Sequence, residues 1–184
     1  GGVALPRQSY VTQDGFDERA VIVAGGETND PGWSAANTLA AMAWHTGRQR
    51  WMGPASLRQL NARAGQDFDG DGTNDVAGPP TLATLAEAIT NWAGTADKLT
   101  VYLIGAGSNG TLRLNGEEDL DAARLDGWLD DYQSSNRQVS VILEFAGSGG
   151  FLAGLQPPAG RGRIVIASSQ AGQEANYPHG GDGS

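Results

Sequence analysis

Apolar residues gather along this chain into short unbroken runs that alternate with stretches of helical spacing. Ala20-Val21-Ile22-Val23-Ala24 is a continuous apolar run, the pattern of a strand buried on both faces. Over residues 34–46, Ala36, Leu39, Ala40 and Ala43 recur every third or fourth position, which predicts a helix with Ser34 as its N-cap. Residues 56–60 fit a strand or a helix equally. Thr81 is placed to cap a helix whose buried stripe is Leu82, Leu85, Ile89 and Trp92. Residues 99–104 form a second apolar strand, and residues 111–114 a short hairpin arm. A third helix follows, with Leu125, Trp128, Leu129 and Tyr132 on one face and Asp126, Asp130 and Asp131 on the other. Residues 139–143 and 163–167 supply two more strands expected to be buried. Strands alternating with helices predict an α/β fold, a mostly parallel sheet with helices on both faces.

In open sheets of that kind, ligands bind beyond the carboxyl ends of the strands. Here those ends are Gly25-Gly26, Gly105-Ala106-Gly107, Glu144 to Gly150, and Ser168-Ser169. Gly, Ala and Ser dominate them, as close approach of a ligand to backbone requires, although such residues also serve to turn the chain.

Composition narrows the partners. Apolar residues make up 39% and charged residues 18%, a globular balance. With 21 Asp and Glu against 12 Lys and Arg, the net charge is −9. Such a surface repels phosphate backbones and suits cations or basic peptides, so nucleic acid is not an expected partner. No apolar stretch approaches the roughly 18 residues of a membrane span. Cysteine is absent, which excludes disulfides, thiolate metal sites and a cysteine nucleophile. The first residues lack a basic segment followed by an apolar one, so no signal peptide is expected in the chain as it stands.

The most specific local motif is Asp67-Phe68-Asp69-Gly70-Asp71-Gly72-Thr73-Asn74-Asp75. Its spacing puts carboxylates at loop positions 1, 3, 5 and 9, a glycine at the sharp turn in position 6, and the Thr73 carbonyl at position 7. Hard oxygen ligands in this order point to a structural Ca²⁺ held by Asp67, Asp69, Asp71, Thr73 and Asp75. The departure is position 12, where Gly78 replaces the bidentate Glu of an EF-hand, and no helix precedes the loop. An isolated calcium loop over 67–78 is therefore expected, completed by water or by an acid from elsewhere; the bland alternative is a solvated acidic turn.

Four segments in order resemble legumain-like, caspase-fold cysteine peptidases, bacterial members with an acidic loop in particular. Val21-Ile22-Val23-Ala24-Gly25 is similar to their first strand, and Ile104-Gly105-Ala106-Gly107 to the strand ending in the catalytic His element. The segment from Ile142 to Leu152 resembles the strand carrying the Cys, and Arg163 to Gln170 the strand that helps build the substrate pocket. The resemblance spans residues 20–177 and implies a three-layer caspase-like sandwich, residues 20–184, after an N-terminal extension of residues 1–19. Carried over by position, the His falls on Ala106 and the Cys on Ala146. In that family the His deprotonates the thiol and later protonates the leaving amine; a methyl group does neither. The resemblance thus implies an inactive endopeptidase, its two alanines arising by natural loss or by deliberate trimming, with a binding apparatus intact. Gly107 and Ala146 would supply oxyanion amides, and Glu144, Ser168 and Ser169 would contact a peptide or protein substrate. It also implies a last strand still to come after Ser184, from a further segment or neighbouring domain, while an isolated calcium loop of this kind suits a secreted, cell-surface or periplasmic protein.

Two other readings compete. Ala146-Gly147-Ser148-Gly149-Gly150 follows a strand as a serine nucleophile elbow does, which would make Ser148 a nucleophile. The acid and His that should follow are then Glu174 and His179, crowded together near a Gly-rich tail. His45 on the first helix is expected to be a packed or surface residue. The third reading is a calcium-stabilised interaction module without chemistry.

Overall fold

A computed structural model describes residues 15, 17–50, 52–108 and 110–174. The N-terminal extension through residue 14, His179 and the Gly-rich tail lie outside the described residues.

Six strands form one sheet in the order β3-β2-β1-β4-β8-β9, and every neighbouring pair is parallel. They are β1 (Glu18–Ala24), β2 (Leu57–Asn61), β3 (Val76–Gly78), β4 (Lys98–Ile104), β8 (Gln138–Glu144) and β9 (Arg163–Ala167). Three short strands, β5 (Gly107–Ser108), β6 (Thr111–Arg113) and β7 (Asp119–Asp121), make a separate antiparallel sheet beyond the end of β4. Helix α1 (Trp33–Gln49) covers one face of the main sheet; α2 (Leu82–Glu87) and α3 (Ala122–Tyr132) cover the other. The three-layer α/β architecture is thereby present.

Alternation within the strands sorts side chains between the layers. Val21 and Val23 pack with Leu99, Val101, Leu103, Val141 and Leu143 against α2 and α3. Ala20, Ile22 and Ala24 face α1, which meets the sheet through Ala36 and Ala40 and brackets it with Trp44. Small residues at these positions allow helix and sheet to approach closely.

Helix ends follow local chemistry with one exception. The Thr81 hydroxyl accepts from the Thr84 amide at 3.0 Å while the Thr84 hydroxyl accepts from the Thr81 amide at 3.0 Å, a reciprocal cap. Asp121 caps α3 by accepting from the Arg124 amide at 2.7 Å. At α1 the expected Ser34 cap is replaced by Gly32, whose φ of 80° suits glycine, and the helix begins two residues earlier than that cap implies, at Trp33. Helix α2 continues into a π-turn over Ala88–Trp92, closed by the Ala93 amide on the Ala88 carbonyl at 3.0 Å. The ambiguous segment at 56–60 is strand β2, preceded by a 3₁₀ turn over Pro54–Ser56. β9 is not buried on both faces: it is an edge strand, and Ile164 and Ile166 on its α1 side are 62% and 56% exposed.

Arg163 anchors that edge. Its side chain is fully buried and bridges Asp126 at 2.6 Å and Asp130 at 2.7 Å on α3. Its Nε also donates to the Gln133 side chain at 2.8 Å. The acidic face of α3 is thus occupied in seating β9, which delivers Ser168 and Ser169 to the top of the sheet.

Candidate ligand-binding site

The chain runs outward from β1 to β2 and β3 on one side of the sheet and to β4, β8 and β9 on the other. That reversal makes the carboxyl ends of β1 and β4 the switch point where an open sheet leaves a crevice. A cavity of about 230 Å³ opens there, walled by Gly25 and Gly26 after β1 and by Gly105, Ala106 and Gly107 after β4. Ala146, two residues beyond β8, completes the wall together with Asp30, Trp33 and Glu174. A second cavity of about 240 Å³ adjoins it and shares Gly107, Ala146 and Glu174.

Glycine is required at these ends for contact between backbones. A Cβ on Gly107 would sit 2.2 Å from the Ala146 carbonyl oxygen and 2.5 Å from the Phe145 ring. One on Gly25 would sit 2.4 Å from the Arg113 carbonyl oxygen. The β4 and β8 ends therefore touch, which brings Ala106, Gly107 and Ala146 to one place. Gly25 and Gly26 donate their amides to Ile104 at 2.8 Å and Leu114 at 2.9 Å, tying the β1 end to the β4 side.

The other residues singled out by sequence lie elsewhere. The Glu144 carboxylate accepts from the Tyr102 hydroxyl, and neither cavity wall includes Glu144. Ser168 continues the β9 ladder through its amide to the Leu143 carbonyl at 2.9 Å. The Ser169 hydroxyl donates to the Phe145 carbonyl at 2.9 Å and lies 3.2 Å from the Ser148 hydroxyl. Ser148 is fully buried, its Oγ also accepting from the Ser169 amide at 3.2 Å. Both serines pin the β8 end to the β9 end, an arrangement that leaves Ser148 no approach for a substrate carbonyl. His45 is exposed on α1, with its ring edge-on to Trp44 at 5.6 Å.

The acidic loop folds as its spacing requires. Carboxylate oxygens of Asp67, Asp69 and Asp71 lie within 4.8 Å of one another and are exposed. Gly70 and Gly72 take φ of 74° and 85°, turning the loop so that their amides donate to Asp67 at 2.7 and 2.8 Å. The Gly72 amide, first among several backbone donors, holds the Asp67 carboxyl below its ordinary value, against some burial. Burial raises Asp75, helped by the charges of Asp69, Asp67 and Asp71, while the Phe68 amide at 2.7 Å opposes it. Asp75 stands apart from the converging trio, turned toward Phe68. Three converging oxygens with exposed outer faces fit a hard cation that completes its shell with water. The loop is bound to α1 by Phe68, whose ring lies 5.6 Å from Trp44, and by Asp69, 3.6 Å from Arg48. It shares no wall residue with the strand-end cavity.

Sequence reasoning passed over Asp30, Trp33 and Glu174 as cavity residues. The first two carry a usable signal, since they fall just after the Gly-Gly end of β1 at the switch point. Glu174 arrives by a loop after β9 whose path no local pattern reveals. No protein-family model and no curated protein matches this chain.

Proposed function

We propose that this chain is a catalytically silent domain of the legumain-like, caspase-type peptidase kind, which binds a peptide across its strand ends and is stabilised by calcium. One observation carries the reading: Ala106 and Ala146, the positions matching the family's His and Cys, line the same cavity at the switch point of the sheet. The adjoining cavity extends that space on the Gly107 and Gly147 side, giving room for an extended segment of substrate. Backbone amides of Gly107 and Ala146 are the donors assigned to its carbonyl. With methyl groups at both positions there is neither nucleophile nor base, so bound peptide is retained and not cut. Asp67, Asp69, Asp71 and the Thr73 carbonyl are assigned to one Ca²⁺ that stiffens the crossover from β2 to β3, with Asp75, at loop position 9, reaching it through water. An extracellular or periplasmic setting, where calcium is abundant, suits this assignment.

The burial of Ser148 and its bonds to Ser169 argue against the serine-hydrolase alternative. A binding module outside the peptidase lineage would use the same cavity without requiring Ala106 and Ala146 to face each other. Amide spectra of the ¹⁵N-labelled chain titrated with a mixed tetrapeptide library test the site itself. Shifts should centre on Gly105, Gly107, Ala146 and Gly147. A library that perturbs none of these four would remove the peptide-binding reading.

A further inference from the structure

One residue of the cavity wall carries a buried hydrogen-bond donor left unpaired among the described residues. Trp33, the first residue of α1, is 3% exposed, and its indole Nε1 has no acceptor among the described residues. Its Cδ1, the ring atom bonded to that nitrogen, lies 3.6 Å from the place a Cβ on Gly26 would occupy. Gly26 and Trp33 both line the cavity, so the Cδ1 edge of the ring stands beside Gly26 in its wall. The Arg63 guanidinium stacks 4.9 Å from the ring centroid and holds its plane. Buried indole N–H groups ordinarily find an acceptor. The N-terminus of α1 adds donors of the same sense, because Gly32 offers it no side-chain cap.

Among the described residues the charged groups in the same wall are both acids, Asp30 and Glu174, and no Lys or Arg lines it. Asp30 Oδ2 accepts from the Glu27 amide at 2.8 Å and lies 3.6 Å from Arg113 Nε. Its Oδ1 accepts no hydrogen bond among the described residues. Glu174 is exposed and has no ion pair among the described residues. Two carboxylates repel an anionic ligand, so the oxygen that meets Trp33 is an uncharged carbonyl. The ligand group that meets the carboxylates brings donors or positive charge.

Building on the peptide-binding reading above, we propose that this cavity takes a peptide residue with a cationic side chain. The main-chain carbonyl of that residue accepts from Trp33 Nε1, and its ammonium or guanidinium lies between Asp30 and Glu174. Trp33 orients the peptide and the two acids set the preference.

The test uses the unmodified chain and the peptides Ac-Ala-Ala-Xaa-Ala-NH₂, with Xaa as Lys, Arg, Asn, Leu or Asp, titrated at low salt. Lys and Arg peptides should bind about tenfold more tightly than Leu or Asn peptides, with Asp weakest. Asp30→Asn with Glu174→Gln should compress that ranking to within about twofold, chiefly by weakening the Lys and Arg peptides. Trp33→Phe should weaken every peptide by about fivefold, the loss of one hydrogen bond. The indole ¹H–¹⁵N signal missing from that variant should be the one that moves downfield when peptide is added to the unmodified chain. If Trp33→Phe fails to fold, the peptide ranking and its loss on replacing both acids still decide. An Asn or Asp peptide that binds as tightly as Lys, or a ranking that survives removal of both acids, overturns this inference and leaves peptide binding standing. Failure of all five peptides to bind overturns the underlying reading together with it.

Discussion

Replacing Arg163 by Leu tests whether the acidic face of α3 is what seats the β9 edge. The Arg163 side chain is fully buried, with Asp126 at 2.6 Å, Asp130 at 2.7 Å and the Gln133 side chain at 2.8 Å around its guanidinium. Breaking a fully buried pair by removing one partner costs about 3–5 kcal/mol, because the other charge is left without compensation. Here the remaining carboxylates are 27% and 44% exposed and can turn to water. Gln133 is itself buried but keeps its donor bonds to the carbonyls of Arg137 at 3.1 Å and Gly162 at 2.9 Å. The expected loss is therefore below that range, about 2–3 kcal/mol. At about 2–4 °C per kcal/mol for a chain of this size, the melting temperature should fall by about 4–12 °C. Urea unfolding should show a lower midpoint and an unchanged slope, since the folded state stays compact. Asp130→Asn provides the contrast, because it removes a carboxylate already half in water and should lose at most about 1 kcal/mol. A loss under about 0.5 kcal/mol for Arg163→Leu, or equal losses for both variants, would show that packing and not the buried charge holds this edge.

Calcium at a hundred times its dissociation constant should stabilise the folded chain by about 2.7 kcal/mol; chelator should reverse the gain, and Asp71→Asn should abolish it, as differential scanning fluorimetry would read. Within the loop the two perturbed acids act in opposite directions. Asp67, held low by the Gly72 amide, contributes stability that is present above the ordinary carboxylate value and lost as pH falls through its depressed one. Asp75, held high by burial, contributes stability only below the ordinary value and loses it as pH rises through its raised one. Asp75→Asn should accordingly raise the melting temperature at pH 7 without calcium, yet shrink the increase that calcium produces; a loss of stability in both conditions would refute this sign. The Tyr132 hydroxyl donates to the Ala96 carbonyl at 2.8 Å, and burial raises its pKa to about 12. Its contribution is complete below pH 10 and fades towards pH 12, so absorbance should show one tyrosine ionising late, and Tyr132→Phe should cost about 1–2 kcal/mol at pH 7.

The layers of this fold were legible because they rest on periodicity. The apolar runs at 20–24, 99–104, 139–143 and 163–167 became β1, β4, β8 and β9, and the Leu125, Leu129 and Tyr132 stripe became the buried side of α3. What was not legible depends on partners distant in sequence. β3 is three residues long and exists because β2 offers it an edge. β9 looks buried by composition, yet only its position at the end of the sheet decides that Ile164 and Ile166 are exposed. The same distinction governs the site. Gly105-Ala106-Gly107 and Ala146 could be placed at strand ends from their neighbours alone, and the structure brings them to one cavity. Glu144, on the same strand as Ile142 and two residues before Ala146, is given a ligand contact by the resemblance because it matches the acidic residue before the Cys, whereas its carboxylate meets Tyr102 on the adjoining strand. Cross-strand pairing of that kind is invisible until the strand order is known.

The central claim is that side chains at 106 and 146 face one another across the strand-end cavity as a peptidase pair would. The most direct measurement is the thiol pKa of the double variant Ala106→His, Ala146→Cys, read from the pH dependence of its alkylation by iodoacetamide. No other cysteine is present to confuse the signal. A thiol paired with a histidine should titrate well below the ordinary value of about 8.5, and further below it than the thiol of Ala146→Cys alone. A folded double variant whose thiol titrates at the ordinary value, indistinguishable from the single variant, would contradict the account.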